Sequence, residues 1–118
     1  VPAMVLDAAG IALSANVACC ELLQRESQAI LGEPFLTWIG RPSERESFGR
    51  EFVALRRRNS GHAFAREVAV TAALGPPVRC NVRVGKLQSG SCLLTCQPVA
   101  ENASLDGDFG RAVTRALD

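Results

Sequence analysis

The sequence predicts an α+β domain: one five-stranded antiparallel sheet with its helices gathered on one face. Three observations predict it. Val78, Cys80, Val82 and Val84 alternate strictly with Arg79, Asn81, Arg83 and Gly85, the pattern of an antiparallel strand with one wet face. Phe48, Phe52 and Leu55 recur at i, i+4 and i+7, one apolar stripe on a helix. The order along the chain is two strands, short helices, a longer helix and three strands.

Ala3 to Leu6 is a short apolar strand. Asp7-Ala8-Ala9-Gly10 reads as a type I turn, with Asp first and Gly fourth. Ile11, Leu13 and Ala15 then alternate with smaller or polar residues as a half-buried strand, closing a hairpin. Asn16 is suited to cap a helix. Val17, Cys20, Leu23 and Gln24 follow at helical spacing, and of the adjacent Cys19 and Cys20 at most one is expected to be buried. Ser27 to Leu31 reads as one more helical turn, stopped by Gly32, and Pro34 to Gly40 as irregular.

The long helix opens on Ser43-Glu44-Arg45-Glu46, which fits a capping box. Glu44, Glu46 and Glu51 are expected on its solvated face, and Arg56 to Arg58 in its last turn, where cations complement the helix dipole. Gly49 lies inside it and costs about 1 kcal/mol relative to Ala. Phe64 to Leu74 is expected as a strand with Val68, Val70, Ala72 and Leu74 on one side. Gly75-Pro76-Pro77 and Gln88-Ser89-Gly90 are turns, and Ser91 to Val99 is the last strand, with Cys92, Leu94 and Cys96 on one face. Residues 1–100 form the domain and 101–118 a linker and the start of an amphipathic helix, whose stripe is Phe109, Ala112, Val113, Ala116 and Leu117.

Composition narrows the function. The 118 residues suit one domain able to bury a core. The formal net charge of +1 argues against an electrostatic grip on nucleic acid or anionic lipid. Five cysteines, Cys19, Cys20, Cys80, Cys92 and Cys96, make no disulfide framework, so a reduced, cytoplasmic setting is expected. No apolar run reaches a membrane span, and the first ten residues lack the basic start and long apolar stretch of a signal peptide. The chain is read as a piece of a longer protein.

Catalytic and metal chemistry find little material. His62 is the only histidine and reads as an exposed turn residue. The C-x-x-C spacing of a thiolate metal knuckle is absent, so the cysteines read as small hydrophobes. One His and no nucleophile–base pattern disfavour an enzyme.

These elements together resemble a PAS domain from about Met4 to Val99. The resemblance rests on "VLDAAGIALSAN" as the opening hairpin, Leu23 before a variable turn, "AILGEPF" as a short turn ending in Gly, and "WIGRPSERESF" leading into the long helix. The final hairpin fits as well. The closing Asp-x-Thr of many relatives is missing: Thr95-Cys96-Gln97-Pro98-Val99 stands there. No His falls in residues 43–58 for haem, no Asn-Cys-Arg-Phe motif for photoactive flavin chemistry, and Phe64 stands where some redox-flavin members place Trp.

The resemblance implies a non-catalytic sensory or dimerisation module without a cofactor, regulating an attached output domain such as a histidine kinase, nucleotide cyclase or transcription regulator. The stripe Phe109, Ala112, Val113, Ala116 and Leu117 would dock on a partner chain's equivalent face or on the domain itself, and a homodimer is expected. A small apolar ligand would lie among Phe35, Trp38, Phe48, Phe52, Leu55, Val82, Leu94 and Cys96, with no metal, nucleic acid or membrane bound. The alternatives are a haem- or flavin-bearing redox or gas sensor and a purely structural interaction domain.

Overall fold

The computed structural model describes residues 1–99. The segment 101–118 and its stripe Phe109, Ala112, Val113, Ala116 and Leu117 lie outside them.

The elements run β1 (Ala3–Leu6), β2 (Ala12–Ala15), α1 (Val17–Leu23), α2 (Ser27–Ile30), a 3-10 turn at Phe35–Trp38, α3 (Pro42–Arg56), β3 (Ala63–Val70), β4 (Val78–Lys86) and β5 (Cys92–Pro98). All strand pairs are antiparallel and the spatial order is β2-β1-β5-β4-β3. Met4, Leu6, Val68, Val82, Val84, Leu94 and Cys96 of the sheet share one buried core with Phe48, Phe52 and Leu55 of α3. The expected α+β architecture, with the apolar side of the sheet laid on the long helix, is the observed one.

The first turn forms because Asp7 Oδ1 accepts the N–H groups of Ala9 and Ile11, while Gly10 takes φ +85°, which an L side chain rarely adopts. The strand after it differs from expectation. Met4 pairs with Ala15 and Val5 with Ser14, but Leu6 pairs with Ala12, so Leu13 is the extra residue of a bulge. The bulge reverses the alternation: Ala12 is buried and Leu13 is exposed.

Asn16 caps α1, its Oδ1 accepting from Cys19 N–H at 2.9 Å. It also accepts from Ala3 N–H and donates Nδ2 to the Val1 carbonyl, tying the helix start to β1. On α1 the buried residues are Cys19 and Leu23; Val17, expected on the apolar face, is exposed. The cap sets the first turn so that Val17 points away from the sheet. Asn16→Ala is expected to cost about 1–2 kcal/mol, as caps of this kind do, read as a drop in urea midpoint at unchanged slope.

α3 begins two residues early, with Arg41 rather than Ser43 as its cap. Pro42 sits at its first position, where its fixed φ suits a helix and its missing N–H costs nothing. Arg41 is the cap residue and makes no side-chain cap bond, so the expected capping box does not form. Glu46 pairs with Arg50 instead, and Glu44 leaves the solvated face for the sheet. The far end is closed from outside: Lys86 Nζ donates to the carbonyls of Arg56 and Arg58. That single lysine does at the helix C-terminus what the arginine run was expected to do.

β3 ends at Val70, short of the expected Leu74. Beyond it the chain is drawn to the helices: Thr71 N–H bonds the Trp38 carbonyl, Ala73 N–H the Leu23 carbonyl and Leu74 N–H the Gln24 side chain. Leu74 is therefore exposed. β4 and β5 keep the expected parity, with Cys80, Val82, Val84, Cys92, Leu94 and Cys96 all buried.

Candidate functional site

The eight side chains expected around a ligand are all buried in the one core. The structure brings only part of the set to a cavity. Phe35, Phe48 and Phe52 line a space of about 320 Å³ beside α3. Trp38, Leu55, Val82, Leu94 and Cys96 pack elsewhere in the core and do not line it. Most of the remaining wall comes from residues that sequence periodicity does not single out, among them Leu6 of β1, Gly10 of the first turn, Leu36 of the 3-10 turn, and Gly49, Val53 and Arg56 of α3.

Each wall has a local cause. The 3-10 turn is held by the Thr37 N–H to Pro34 carbonyl bond, and Phe35 N–H bonds the Gly10 carbonyl, which locks that turn against the hairpin. Gly10 can lie close to α3: a Cβ placed there would stand 3.5 Å from the Phe52 ring. Phe48 meets Phe35 with ring centroids 5.4 Å apart and Phe64 at 5.2 Å, the tilted and edge-on arrangements aromatic rings favour. Gly49 presents no side chain to Leu36, whose Cδ1 would lie 3.7 Å from an added Cβ. The walls are apolar apart from Arg56, the only charged side chain among them. Such a space suits an apolar body with one polar or anionic end.

Four of the five thiols are buried and Cys20 is half-buried. Burial and the neighbouring Cys20 push Cys19 up to about 11. The side-chain interaction between Cys96 and Cys80 pushes Cys96 up, with burial adding to it, and draws Cys80 down; burial raises Cys92. Among the described residues no group of three or more His, Cys, Asp or Glu side chains is placed to hold a metal ion. His62 is exposed, as expected. Trp38 packs under the Arg25 guanidinium, 4.8 Å from its ring centroid, and its indole N–H has no partner among the described residues. No helix of the described residues is long and apolar enough to cross a membrane.

No family model and no curated protein matches the chain. Solved structures do. The Cronobacter turicensis RpfR quorum-sensing receptor PAS domain, in complex with BDSF, superposes with a TM-score of 0.72 at 15% identity, covering 84% of this chain and 93% of that one. A domain of a sensory box sensor histidine kinase/response regulator from Geobacter sulfurreducens gives 0.69 at 17% identity, covering 81% of each chain. The Drosophila melanogaster Cycle PAS-B domain with bound ethylene glycol gives 0.73 at 7% identity, covering 84% of this chain and 100% of that one. The strand order, the helices on one face and these superpositions agree: the described residues have the fold of PAS domains.

Proposed function

We propose that this chain is a non-catalytic sensory module that binds a small, largely apolar molecule with an acidic end and relays its presence to an attached output domain. The observation that carries the reading is the cavity beside α3, with aromatic walls and Arg56 as its one charge. Gly49 adds to it. A helix-interior glycine costs about 1 kcal/mol relative to Ala, and here it keeps the cavity open against Leu36. The similar RpfR receptor domain is known in complex with C12:0 as well as BDSF.

Occupancy would bias the packing of α3 against the β1–β2 hairpin, since a ligand shifts a two-state equilibrium by its differential affinity. Leu6 of the cavity wall pairs with Cys92 of β5, and β5 is the described strand that precedes residues 101–118 in sequence. That path is how we read the coupling to an output domain in a homodimer. The five free cysteines support a reducing, cytoplasmic setting.

A C12 carboxylate is the probe. It is expected to raise the melting temperature in a concentration-dependent way, because a ligand that binds only the folded state stabilises it. Gly49→Ala is expected to raise the ligand-free stability by about 0.5–1 kcal/mol, since its Cβ meets Leu36 at ordinary contact distance. Gly49→Leu fills the cavity and should abolish the ligand-induced rise. No rise with C8 to C16 carboxylates on the wild-type chain, or an equal rise with Gly49→Leu, refutes the reading.

A further inference from the structure

We propose that the open edge of β3 pairs with the same edge of a second copy of this chain, joining two sheets across a two-fold axis at Ala65. The inference adds to the dimeric reading above a surface within the sheet, separate from the 109–117 stripe expected from the sequence, and it is independent of whether the cavity takes a ligand.

β3 is the last strand of the sheet, and only its far half is covered. There Ala69 N–H donates to Glu44 Oε1 and the Ala69 carbonyl accepts from Gly40 N–H, while Ile39 bridges Val70. Backbone groups alternate in direction along an antiparallel strand. Ala69 uses both of its groups outward, and the residues paired at the near end are His62 and Lys86, through Lys86 N–H to the His62 carbonyl. Ala63, Ala65 and Glu67 therefore also aim their N–H and C=O groups away from β4. Among the described residues no strand or loop meets them, and all three are exposed.

The open stretch is bounded at both ends, by the Gly40 and Glu44 cover at Ala69 and by the Gly61–Lys86 turn contact. It is centred on Ala65. A two-fold pairing there sets Ala65 opposite Ala65 of the second copy at the central hydrogen-bonded pair, and Ala63 opposite Glu67 at the pairs on either side.

The alternate positions are complementary to themselves. Phe64 shares the parity of the core-facing Val68, and Arg66 reaches the α3 side, where it pairs with Glu51. In this register Arg66 of one copy stands opposite Phe64 of the other, a non-hydrogen-bonded pair whose side chains lie close. A guanidinium on an aromatic face is favourable. Room for it exists: a cleft of about 320 Å³ runs between α3 and this edge, bordered by Glu51, Arg58, His62 and Phe64. The arriving Arg66 would find a ring there, and a place on Glu51 only if the two Arg66 side chains exchange their Glu51 partners. An isologous contact needs one patch that fits itself, and pairing removes the hazard of an unpaired edge.

The test uses the full chain. Sedimentation equilibrium should give a concentration-dependent doubling of mass. Hydrogen exchange should show the Ala65 and Glu67 amides gaining protection as concentration rises. Ala65→Pro removes an N–H that makes no bond to β4, a substitution edge strands tolerate; it should leave the circular dichroism intact and the mass monomeric. A wild-type monomer at millimolar concentration overturns the proposal. So does a folded Ala65→Pro that still dimerises, or a dimer whose Ala65 and Glu67 amides exchange as in the dilute protein, which would assign the contact to another surface. If Ala65→Pro does not fold, the exchange result on the wild type decides.

Discussion

Phe48→Ala is expected to lower stability by about 3–5 kcal/mol, the cost of truncating a fully buried Phe. The side chain is 2% exposed and its ring joins Phe35 of the 3-10 turn to Phe64 of β3. Its loss therefore unpins the layer of helices from the sheet at one point. Domains of this size hold roughly 5–15 kcal/mol in all, so the variant should be close to the folding threshold. At no less than about 4 °C per kcal/mol, the melting temperature should fall by at least ~12 °C. Val53→Ala, on the same helix but 42% exposed, is the control and should stay within about 0.5 kcal/mol. Equal losses for the two would mean that the stripe on α3 does not face the sheet.

That stripe was legible because its signal is local and repeated. Phe48, Phe52 and Leu55 fix one face of a helix, and four alternating apolar residues fix one face of β4, whatever surrounds them. β2 shows the opposite case. One bulge residue, Leu13, reverses the parity of a four-residue strand, and nothing in the alternation marks where the bulge falls. The expected start of α3, with Ser43 as the cap, was misplaced: Pro42, whose fixed φ suits the first helical position, opens the helix. The end of β3 was not legible at all, because Thr71, Ala73 and Leu74 are drawn off the strand by partners at Trp38, Leu23 and Gln24.

The cavity was half legible for the same reason. Its aromatic walls announce themselves as large apolar residues. Its shape depends on what is missing: the side chain at Gly49, and the close approach of Gly10 to Phe52. Those depend on how three separated segments meet, which no single window of sequence contains. Arg56 was read with its neighbours as a dipole partner, and only the fold sets it on the cavity wall.

Glu44 is the second large effect, and it was hidden among solvated glutamates. One carboxylate oxygen accepts Ala69 N–H at 2.8 Å and the other the Arg79 guanidinium at 2.8 Å, with the side chain 19% exposed. Arg79 in turn holds Glu67, so a single residue of α3 gathers the β3 edge and β4. Burial alone would push the Glu44 carboxyl up, but the Ala69 amide and Arg79 together outweigh it and hold it below its ordinary value. A carboxyl depressed in the folded state stabilises above its unfolded pKa and loses that contribution as pH falls through the folded one. Glu44→Ala should therefore cost about 2–3 kcal/mol at pH 7, because it orphans the buried Ala69 N–H and breaks charge-assisted bonds. Its gap to the wild type in urea unfolding should narrow as pH drops below about 4.3. Glu44→Gln keeps an acceptor for Ala69 and should recover part of the loss at pH 7, with less dependence on pH. Glu46→Ala removes only an exposed pair with Arg50 and should change stability by less than about 0.5 kcal/mol. If Glu44→Ala and Glu46→Ala behave alike across that range, the carboxylate does not fasten the helix to the sheet.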